Sequence, residues 1–281
     1  MPASLQPRSL LLVTTTLGYQ AEEFRSAAQL LGVPLIVASD RCHRLSDPWG
    51  DHALPVRFER PHAAAASIAR QPWAGAIGGV LALGDRATLT AALAAQRLGL
   101  AGNSAAAARA AGDKYRLRRM LRAAGLPTPR FRRWPLAADP RRAAATIGFP
   151  CVLKPIALAG SRGVIRADNP AEFAAAWERI GRLLRRPELR ARRAPELDFI
   201  QVESYIPGRE VALEGWLERG RLRVLALFDK PDPLAGPFFE ETIYVTPSRQ
   251  PQSILEAVGT TTQSATAALG LTEGPVHAEL R

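Results

Sequence analysis

Apolar and polar positions along the first ~110 residues predict strands and helices in alternation. Short apolar runs typical of buried strands lie at residues 10–15, 34–39 and 76–83. Apolar positions at helical spacing lie at residues 20–31, 61–71 and 85–98. Near-continuous apolar strands alternating with helices favour a parallel sheet that is covered on both faces. We therefore predict an α/β domain over residues 1–111.

The pattern changes in the rest of the chain. Helical patterns, with capping residues such as Asp113 and stop signals such as Gly125, lie at residues 104–112, 113–125, 170–184 and 254–269. Strand patterns lie at residues 199–203, 210–217, 221–228 and 274–281. An arginine-rich connector, which holds Pro187 and Pro195, precedes the first of these strands.

The stretch from Pro150 to Asp168 carries the strongest chemical signal. An apolar run at 151–153 is followed at once by Lys154, and then by the small residues Ala159 to Gly163. Glycine lets a backbone adopt positive φ and approach a phosphate chain closely, and lysine supplies a charge for the same phosphates. A stretch of this kind is also common in ordinary hairpin turns, so both interpretations stay open here.

The rarity of lysine in this chain gives further support to a functional role for Lys154. Only three of the 37 basic side chains are lysines, namely Lys114, Lys154 and Lys230. A compact, flexible ammonium is chemically distinct from the planar guanidinium that this chain uses elsewhere. The three positions are therefore candidate functional residues.

Composition narrows the class of protein. The net charge of +11 raises the question of nucleic acid, but the arginines are spread, without aromatic interleaving or zinc-ligand spacing. A solvated basic surface is favoured, and a nucleic-acid-binding module is kept as a rival. No apolar run reaches the ~20 residues that span a bilayer, so no membrane association is expected. Two cysteines, Cys42 and Cys151, argue against a disulfide framework and predict a cytoplasmic protein.

Two common nucleotide motifs do not occur. No G-x-G-x-x-G follows the first predicted strand, and there is no Walker G-x-x-x-x-G-K. The histidines His43, His52 and His62 have no ligand partner at metal spacing, and His277 has the position of a packing or hydrogen-bonded strand residue.

Four segments together resemble the ATP-grasp superfamily: 113–129, 152–164, 202–210 and 274–281. The run F-F-E-E-T-I-Y-V-T-P-S at 238–248 and the ending H-A-E-L-R look most like carboxylate–amine ligases that join L-amino acids. The resemblance implies a parallel-sheet pre-ATP-grasp domain at 1–111, followed by a two-lobed α+β ATP-grasp domain. Lobe A would be residues 112–196 and lobe B, lacking its last strands, residues 197–281.

The resemblance also implies roles for individual residues. The nucleotide-binding residues would be Lys114, Lys154, Gly160, Ser161, Arg162, Gly163, Glu203, Ser204, Ile206 and Glu210. Of these, the lysines and the loop would hold phosphates, Ser204 and Ile206 the adenine edge, and Glu210 the ribose. Glu279 would bind Mg²⁺. Beside these, Lys230 and Arg249 are the candidate catalytic residues: Lys230 would reach the terminal phosphate or the substrate, and Arg249 would hold a substrate carboxylate. Each of these residues also has a plain structural interpretation as a surface, strand or turn residue.

The implied reaction uses ATP and Mg²⁺ to activate a carboxylate, such as that of an amino acid, as an acylphosphate for attack by an amine. A carboxylase or carbamoyl-phosphate type of reaction is the enzymatic alternative, and a nucleotide-binding fragment without turnover is the non-enzymatic one. The family continues past the H-A-E strand into further metal ligands, so we expect this chain to be a C-terminally truncated member. The resemblance also allows a homodimer.

Overall fold

The computed structural model describes residues 8–15, 20–40, 53–239 and 243–281. Cys42, His43 and His52 lie outside these residues, as does the 240–242 part of the run at 238–248. The chain forms two compact units, an N-terminal unit of Met1–Arg109 and a C-terminal unit of Ala110–Arg281. The finer division into a pre-ATP-grasp domain and two lobes stays a prediction.

The N-terminal unit contains a four-stranded parallel sheet in the order β3-β2-β1-β4. Its strands are β1 (Ser9–Thr14), β2 (Leu35–Ser39), β3 (Leu54–Pro55) and β4 (Ile77–Leu83). Its helices are α1 (Ala21–Leu30), α2 (Pro61–Ala69) and α3 (Asp85–Leu98), and α4 (Ala105–Gly112) crosses into the next unit. Leu11, Leu12 and Val13 of β1 are fully buried, so this strand is covered on both faces. The prediction of a parallel sheet is confirmed.

The C-terminal unit contains two antiparallel sheets. The first has the order β5-β8-β6-β7, from β5 (Phe131–Pro135), β6 (Cys151–Pro155), β7 (Ile165–Ala167) and β8 (Phe199–Ser204). The second has the order β10-β9-β11, from β9 (Val211–Glu218), β10 (Arg221–Asp229) and β11 (Gly274–Leu280). The helices are α5 (Lys114–Ala123), α6 (Pro140–Ile147), α7 (Pro170–Leu184), α8 (Pro187–Arg190) and α9 (Gln252–Leu269).

Each sheet of the C-terminal unit has its own core. Helices α6 and α7 cover the first sheet, where Phe173 stacks on Trp177 with their ring centroids 5.9 Å apart. Helix α9 contributes Val258 to the core of the second sheet, which includes Val211 and Leu213. The two sheets are therefore stabilised by separate sets of apolar contacts.

The structure adds elements that the pattern did not predict, namely β3, β5, α6 and α8. Strand β5 reads F-R-R-W-P and, among the described residues, pairs with β8 alone at the edge of its sheet. Both of its arginines are exposed, so the strand shows no alternation of charged and apolar positions. Helix α6 begins at Pro140 behind Asp139, whose side chain accepts a hydrogen bond from Arg141 N. No helix among the described residues is long and apolar enough to cross a membrane.

Candidate functional site

The glycine-rich loop joins β6 to β7 as a tight turn. Gly160, Ser161 and Gly163 have φ values of +62°, +50° and +77°, and Val164 N donates to the Ser161 carbonyl at 3.0 Å. A Cβ on Gly163 would lie 2.9 Å from a methyl carbon of Leu183, so glycine is needed there for space as well as for φ. Gly160 has open space around it and is exposed, as is Arg162. This turn can present its backbone to an anion.

Lys114 lies beside the start of this loop. It is the first residue of α5, and the Asp113 carboxylate caps that helix by accepting from Arg116 N at 2.8 Å. The backbone N–H of Lys114 donates to the Ile156 carbonyl at 3.1 Å, and its ammonium donates to the Leu158 carbonyl. The start of helix α5 therefore places Lys114 beside the glycine-rich loop.

Lys154 and Glu203 form a buried ion pair on neighbouring strands. In the β6–β8 register Lys154 lies opposite Gln201, and Glu203 is two residues further on the same face. Lys154 Nζ is 2.5 Å from Glu203 Oε2, and the two side chains are 13% and 5% exposed. Burial lowers the pKa of Lys154, although the Glu203 carboxylate opposes this effect.

Arg118 and Gln201 complete the surroundings of Glu203. Arg118 donates from Nε to Oε1 at 2.8 Å, and Gln201 Nε2 donates to the same oxygen at 2.6 Å. Burial alone would raise the pKa of Glu203, but Lys154 and Arg118 outweigh it and hold that pKa at about 2. Arg118 was not among the sequence-predicted site residues; its only signal was the i,i+4 spacing from Lys114, which places both on one helix face.

Lys230, Glu210 and Glu279 form a second ion cluster at the β10-β9-β11 sheet. Lys230 Nζ lies 2.7 Å from Glu210 Oε1 and 2.5 Å from Glu279 Oε1, and its side chain is 2% exposed. The ammonium also lies 4.9 Å from the centre of the Tyr244 ring. Lys230 is thus a buried lysine held by two carboxylates, and its catalytic role stays a prediction.

Arg281 contacts both this cluster and the backbone of two loops. Its Nε lies 3.3 Å from Glu210 Oε2, and its terminal nitrogens donate to the carbonyls of Ile206 at 3.2 Å and Leu234 at 2.7 Å. Both oxygens of Glu210 therefore have a cation beside them, Lys230 at one and Arg281 at the other. Arg281 was not among the sequence-predicted site residues.

His277 lies on β11 between two carboxylates. Its Nδ1 is 2.7 Å from Glu214 Oε1, across the β9–β11 pair, and its Nε2 is 3.7 Å from Glu279 Oε1. Glu279 and Glu214, acting against partial burial, raise the pKa of His277 to about 9. The imidazole is therefore protonated at neutral pH, and the interpretation as a hydrogen-bonded strand histidine is confirmed.

A cavity of about 680 Å³ opens beside the second cluster. Its lining includes Glu210, Lys230 and the predicted residue Arg249, together with Tyr205, Gly208, Arg209, Asp229, Pro231, Asp232, Pro233, Leu234, Ala235, Gln250 and Pro251. The backbone N–H of Arg249 donates to Asp229 Oδ2 at 2.8 Å. Burial would raise the pKa of Asp229, but this bond and the one from the Ser248 hydroxyl at 2.6 Å lower it.

The end of β8 and the residue that follows it already make several internal hydrogen bonds. Ser204 N donates to the Arg130 carbonyl at 2.9 Å, and the Ser204 hydroxyl accepts from Arg130 N at 3.1 Å. Tyr205 N donates to the Pro150 carbonyl at 3.1 Å. The N–H of Ser204 is already used, so its predicted contact with adenine would have to be made by its carbonyl.

The described residues contain no group of three or more His, Cys, Asp and Glu side chains that could hold a metal ion by themselves. Magnesium usually takes only one or two protein carboxylates and completes its shell with phosphate oxygens and water. Glu279, for which the resemblance implies this role, has a side chain that is 42% exposed, and Lys230 lies beside one of its oxygens. The donor chemistry fits magnesium bound together with a phosphate.

The chain is similar in sequence to proteins of known function. Residues 147–281 match the sequence profile of the ATP-grasp domain. The D-alanine–D-alanine ligase of Aromatoleum aromaticum is 28% identical over 189 residues, which cover 66% of this chain and 57% of that protein. The alanine–anticapsin ligase of Bacillus subtilis is 29% identical over 203 residues, which cover 68% of this chain and 42% of that protein.

The crystal structure of the L-amino acid ligase from Bacillus licheniformis is similar to this fold, with a TM-score of 0.74 and 25% identity. The similarity covers 98% of this chain and 64% of that one. The chain spans about half the length of the two curated relatives named above, 57% of the first and 42% of the second.

The fold and the site define an α/β protein whose C-terminal unit gathers lysines and carboxylates suited to phosphate and metal. The profile match makes residues 147–281 an ATP-grasp domain. The resemblance to the ATP-grasp superfamily that the motifs indicated is confirmed by this domain match, and the similar proteins include ligases that join amino acids.

Proposed function

We propose that this chain binds ATP with Mg²⁺ and uses it to activate a carboxylate, which an amine then attacks. The observation that carries the proposal is Lys230, a buried lysine held 2.7 and 2.5 Å from the carboxylates of Glu210 and Glu279. A buried ammonium between two carboxylates provides a fixed positive charge next to groups that suit a ribose and a metal.

The phosphate contacts are proposed for the first cluster and the loop. Lys114 and Lys154 would contact the phosphates, and the backbone of residues 160–163 would close over them. Lys154 is already held in a buried position by Glu203, so little side-chain entropy remains to be lost when a phosphate arrives. Ser204 and Ile206 would face the adenine, and Glu210 the ribose hydroxyls.

Lys230 and Arg249 are proposed for the reacting groups. In the reaction, a carboxylate oxygen bonds to the terminal phosphorus and ADP leaves; the amine nitrogen then bonds to the acyl carbon, phosphate leaves and the amine loses a proton. Bound Mg²⁺ would neutralise phosphate charge, and Glu279 would hold it. Arg249 lines the cavity, where its guanidinium can take a carboxylate with two hydrogen bonds.

The names of three similar proteins suggest the substrate class. They are ligases named for alanine or for L-amino acids. We propose an amino acid as the carboxylate substrate, and we leave the amine open. A homodimer and a cytoplasmic location remain predictions.

The experiment is a phosphate-release screen with the purified chain, ATP and Mg²⁺, in which pairs of amino acids are compared with bicarbonate alone. Release that needs an amino acid supports the proposal, and it should be lost in Lys230→Met but kept in Arg223→Met, an exposed arginine of β10. Release driven by bicarbonate alone would place the protein in the carboxylase class. ATP binding without release under any condition would favour a nucleotide-binding role without turnover.

A further inference from the structure

Glu203 lies at the centre of a buried charge network in the C-terminal unit. The residue is 3% exposed, and each carboxylate oxygen has partners: Lys154 Nζ at Oε2, and Arg118 Nε with Gln201 Nε2 at Oε1. A terminal nitrogen of Arg118 also reaches Oε2 at 3.4 Å. The network therefore holds one anion and two cations.

The excess positive charge makes this network suitable for an anionic ligand. A buried cation is costly unless it is paired, and here two cations share one carboxylate. Lys154 is the more buried of the two, with a side chain 13% exposed against 23% for Arg118. A phosphate next to Lys154 would bring the charge of the network toward balance.

Lys154 would share its charge between Glu203 and a phosphate. Its ammonium has three N–H donors and can contact both, but a phosphate draws part of its positive charge away from the carboxylate. A carboxylate left buried without a cation would be strongly unfavourable. Arg118 remains on Glu203 in that event, because its Nε and a terminal nitrogen contact the two oxygens from helix α5.

We propose that Arg118 is a positioning residue for nucleotide binding: it holds the Glu203 carboxylate so that Lys154 can exchange part of its ion pair for a phosphate. This inference rests on the proposed function. Arg118 lies four residues after Lys114, so one face of α5 supplies both a phosphate contact and the support for the second lysine. Arginine suits the role because its fork spans both carboxylate oxygens, which a lysine cannot do.

The test is calorimetric titration of ATP and adenosine into the wild-type chain, Arg118→Met and Arg119→Met. Arg119 is exposed on the same helix and is the matched control. Arg118→Met should weaken ATP binding at least tenfold, which corresponds to about 1.4 kcal/mol, while adenosine binding stays within about threefold. Arg119→Met should change both affinities by less than about threefold. A purely structural role of Arg118 would weaken ATP and adenosine alike.

A second substitution separates the proposed role from general damage. In the Arg118→Met background, Glu203→Gln removes the charge that retains Lys154, so ATP affinity should recover by at least about threefold. Arg118→Lys should recover part of the ATP affinity as well. Arg118→Gln replaces the methionine variant if that variant does not fold, and the same outcomes decide.

Three results would overturn the inference. They are ATP affinity in Arg118→Met equal to that in Arg119→Met, an equal loss for adenosine, and no recovery in the double variant. If the wild-type chain does not bind ATP at all, the proposed function itself fails. The two failures are therefore distinguishable.

Discussion

Replacing Lys230 by methionine tests whether the second ion cluster stabilises the C-terminal unit. Methionine keeps an unbranched apolar stem of similar length and removes only the ammonium. That ammonium belongs to a side chain 2% exposed and lies 2.7 Å from Glu210 and 2.5 Å from Glu279. The substitution therefore leaves two carboxylates facing an apolar side chain.

The magnitude follows from what remains around those carboxylates. Breaking a buried ion pair by removing one partner costs about 3–5 kcal/mol. Glu210 keeps Arg281 at 3.3 Å, and the Glu279 side chain is 42% exposed and can recruit water. We therefore expect a loss of about 2–3 kcal/mol in the free energy of unfolding, which is at or just below the lower limit of that range. For a unit of this size the melting temperature should fall by about 5–10 °C.

The assay is differential scanning calorimetry, because two compact units can unfold in separate transitions that one melting temperature would merge. Arg223→Met is the control, since it removes an exposed cation from the neighbouring strand β10. The double variant Lys230→Met with Glu279→Gln should be more stable than Lys230→Met alone, because the carboxylate that lost the ammonium at 2.5 Å, and keeps His277 at 3.7 Å, is gone. A Lys230→Met chain within about 0.5 kcal/mol of the control would refute the reasoning.

Three further predictions concern other parts of the site. Lys154→Met should weaken ATP binding about tenfold to a hundredfold and adenosine binding little, since a charge-assisted contact is worth about 1.5–3 kcal/mol; calorimetry showing equal ATP affinities would contradict this. Gly163→Ala should destabilise by about 1–3 kcal/mol, because φ is +77° and the new Cβ would meet Leu183 at 2.9 Å. Gly160→Ala, with φ of +62° and open space, should cost only about 1 kcal/mol, and thermal unfolding in the reverse order would refute the comparison. The Glu203 pKa of about 2 lies below the ordinary 4.5, so its contribution to stability is present above about pH 4.5 and is lost as the pH falls through about 2. Urea unfolding should show the stability difference between wild type and Glu203→Gln shrinking over that window, and a constant difference would count against it.

Periodicity was sufficient where an element buries one continuous face. Helix α3 was predicted with its observed bounds, Asp85–Leu98, because Gly99 follows it in the left-handed conformation as a stop signal. Strand β5 was missed because an edge strand with F-R-R-W-P has no alternation to detect. Helix α6 lies in the arginine-rich stretch after it, where charge crowding hid the apolar face of Ala143, Ala144 and Ile147.

The candidate site shows the same limit at the level of side chains. Residue types and motif order were enough to select Lys154, Glu203, Glu210 and Glu279 as chemically interesting. Which carboxylate faces which lysine depends on strand register, as in the diagonal from Lys154 to Glu203 across β6 and β8. That register is a property of two strands separated by more than forty residues, and no local pattern contains it.

The two clusters of the C-terminal unit differ in charge balance, and this difference bears on what each can bind. Lys154 and Arg118 share the single carboxylate of Glu203, so this cluster carries an excess of positive charge. In the second cluster two cations, Lys230 and Arg281, face two carboxylates, those of Glu210 and Glu279, so the charges balance. The protonated His277 and its partner Glu214 add one charge of each sign and keep that balance. An excess of cations attracts phosphate oxygens. A balanced cluster instead leaves room for a dication once an accompanying phosphate supplies negative charge. Phosphate and metal should therefore bind cooperatively, because a phosphate drawn to the first cluster supplies the negative charge that the balanced cluster needs before it takes a dication.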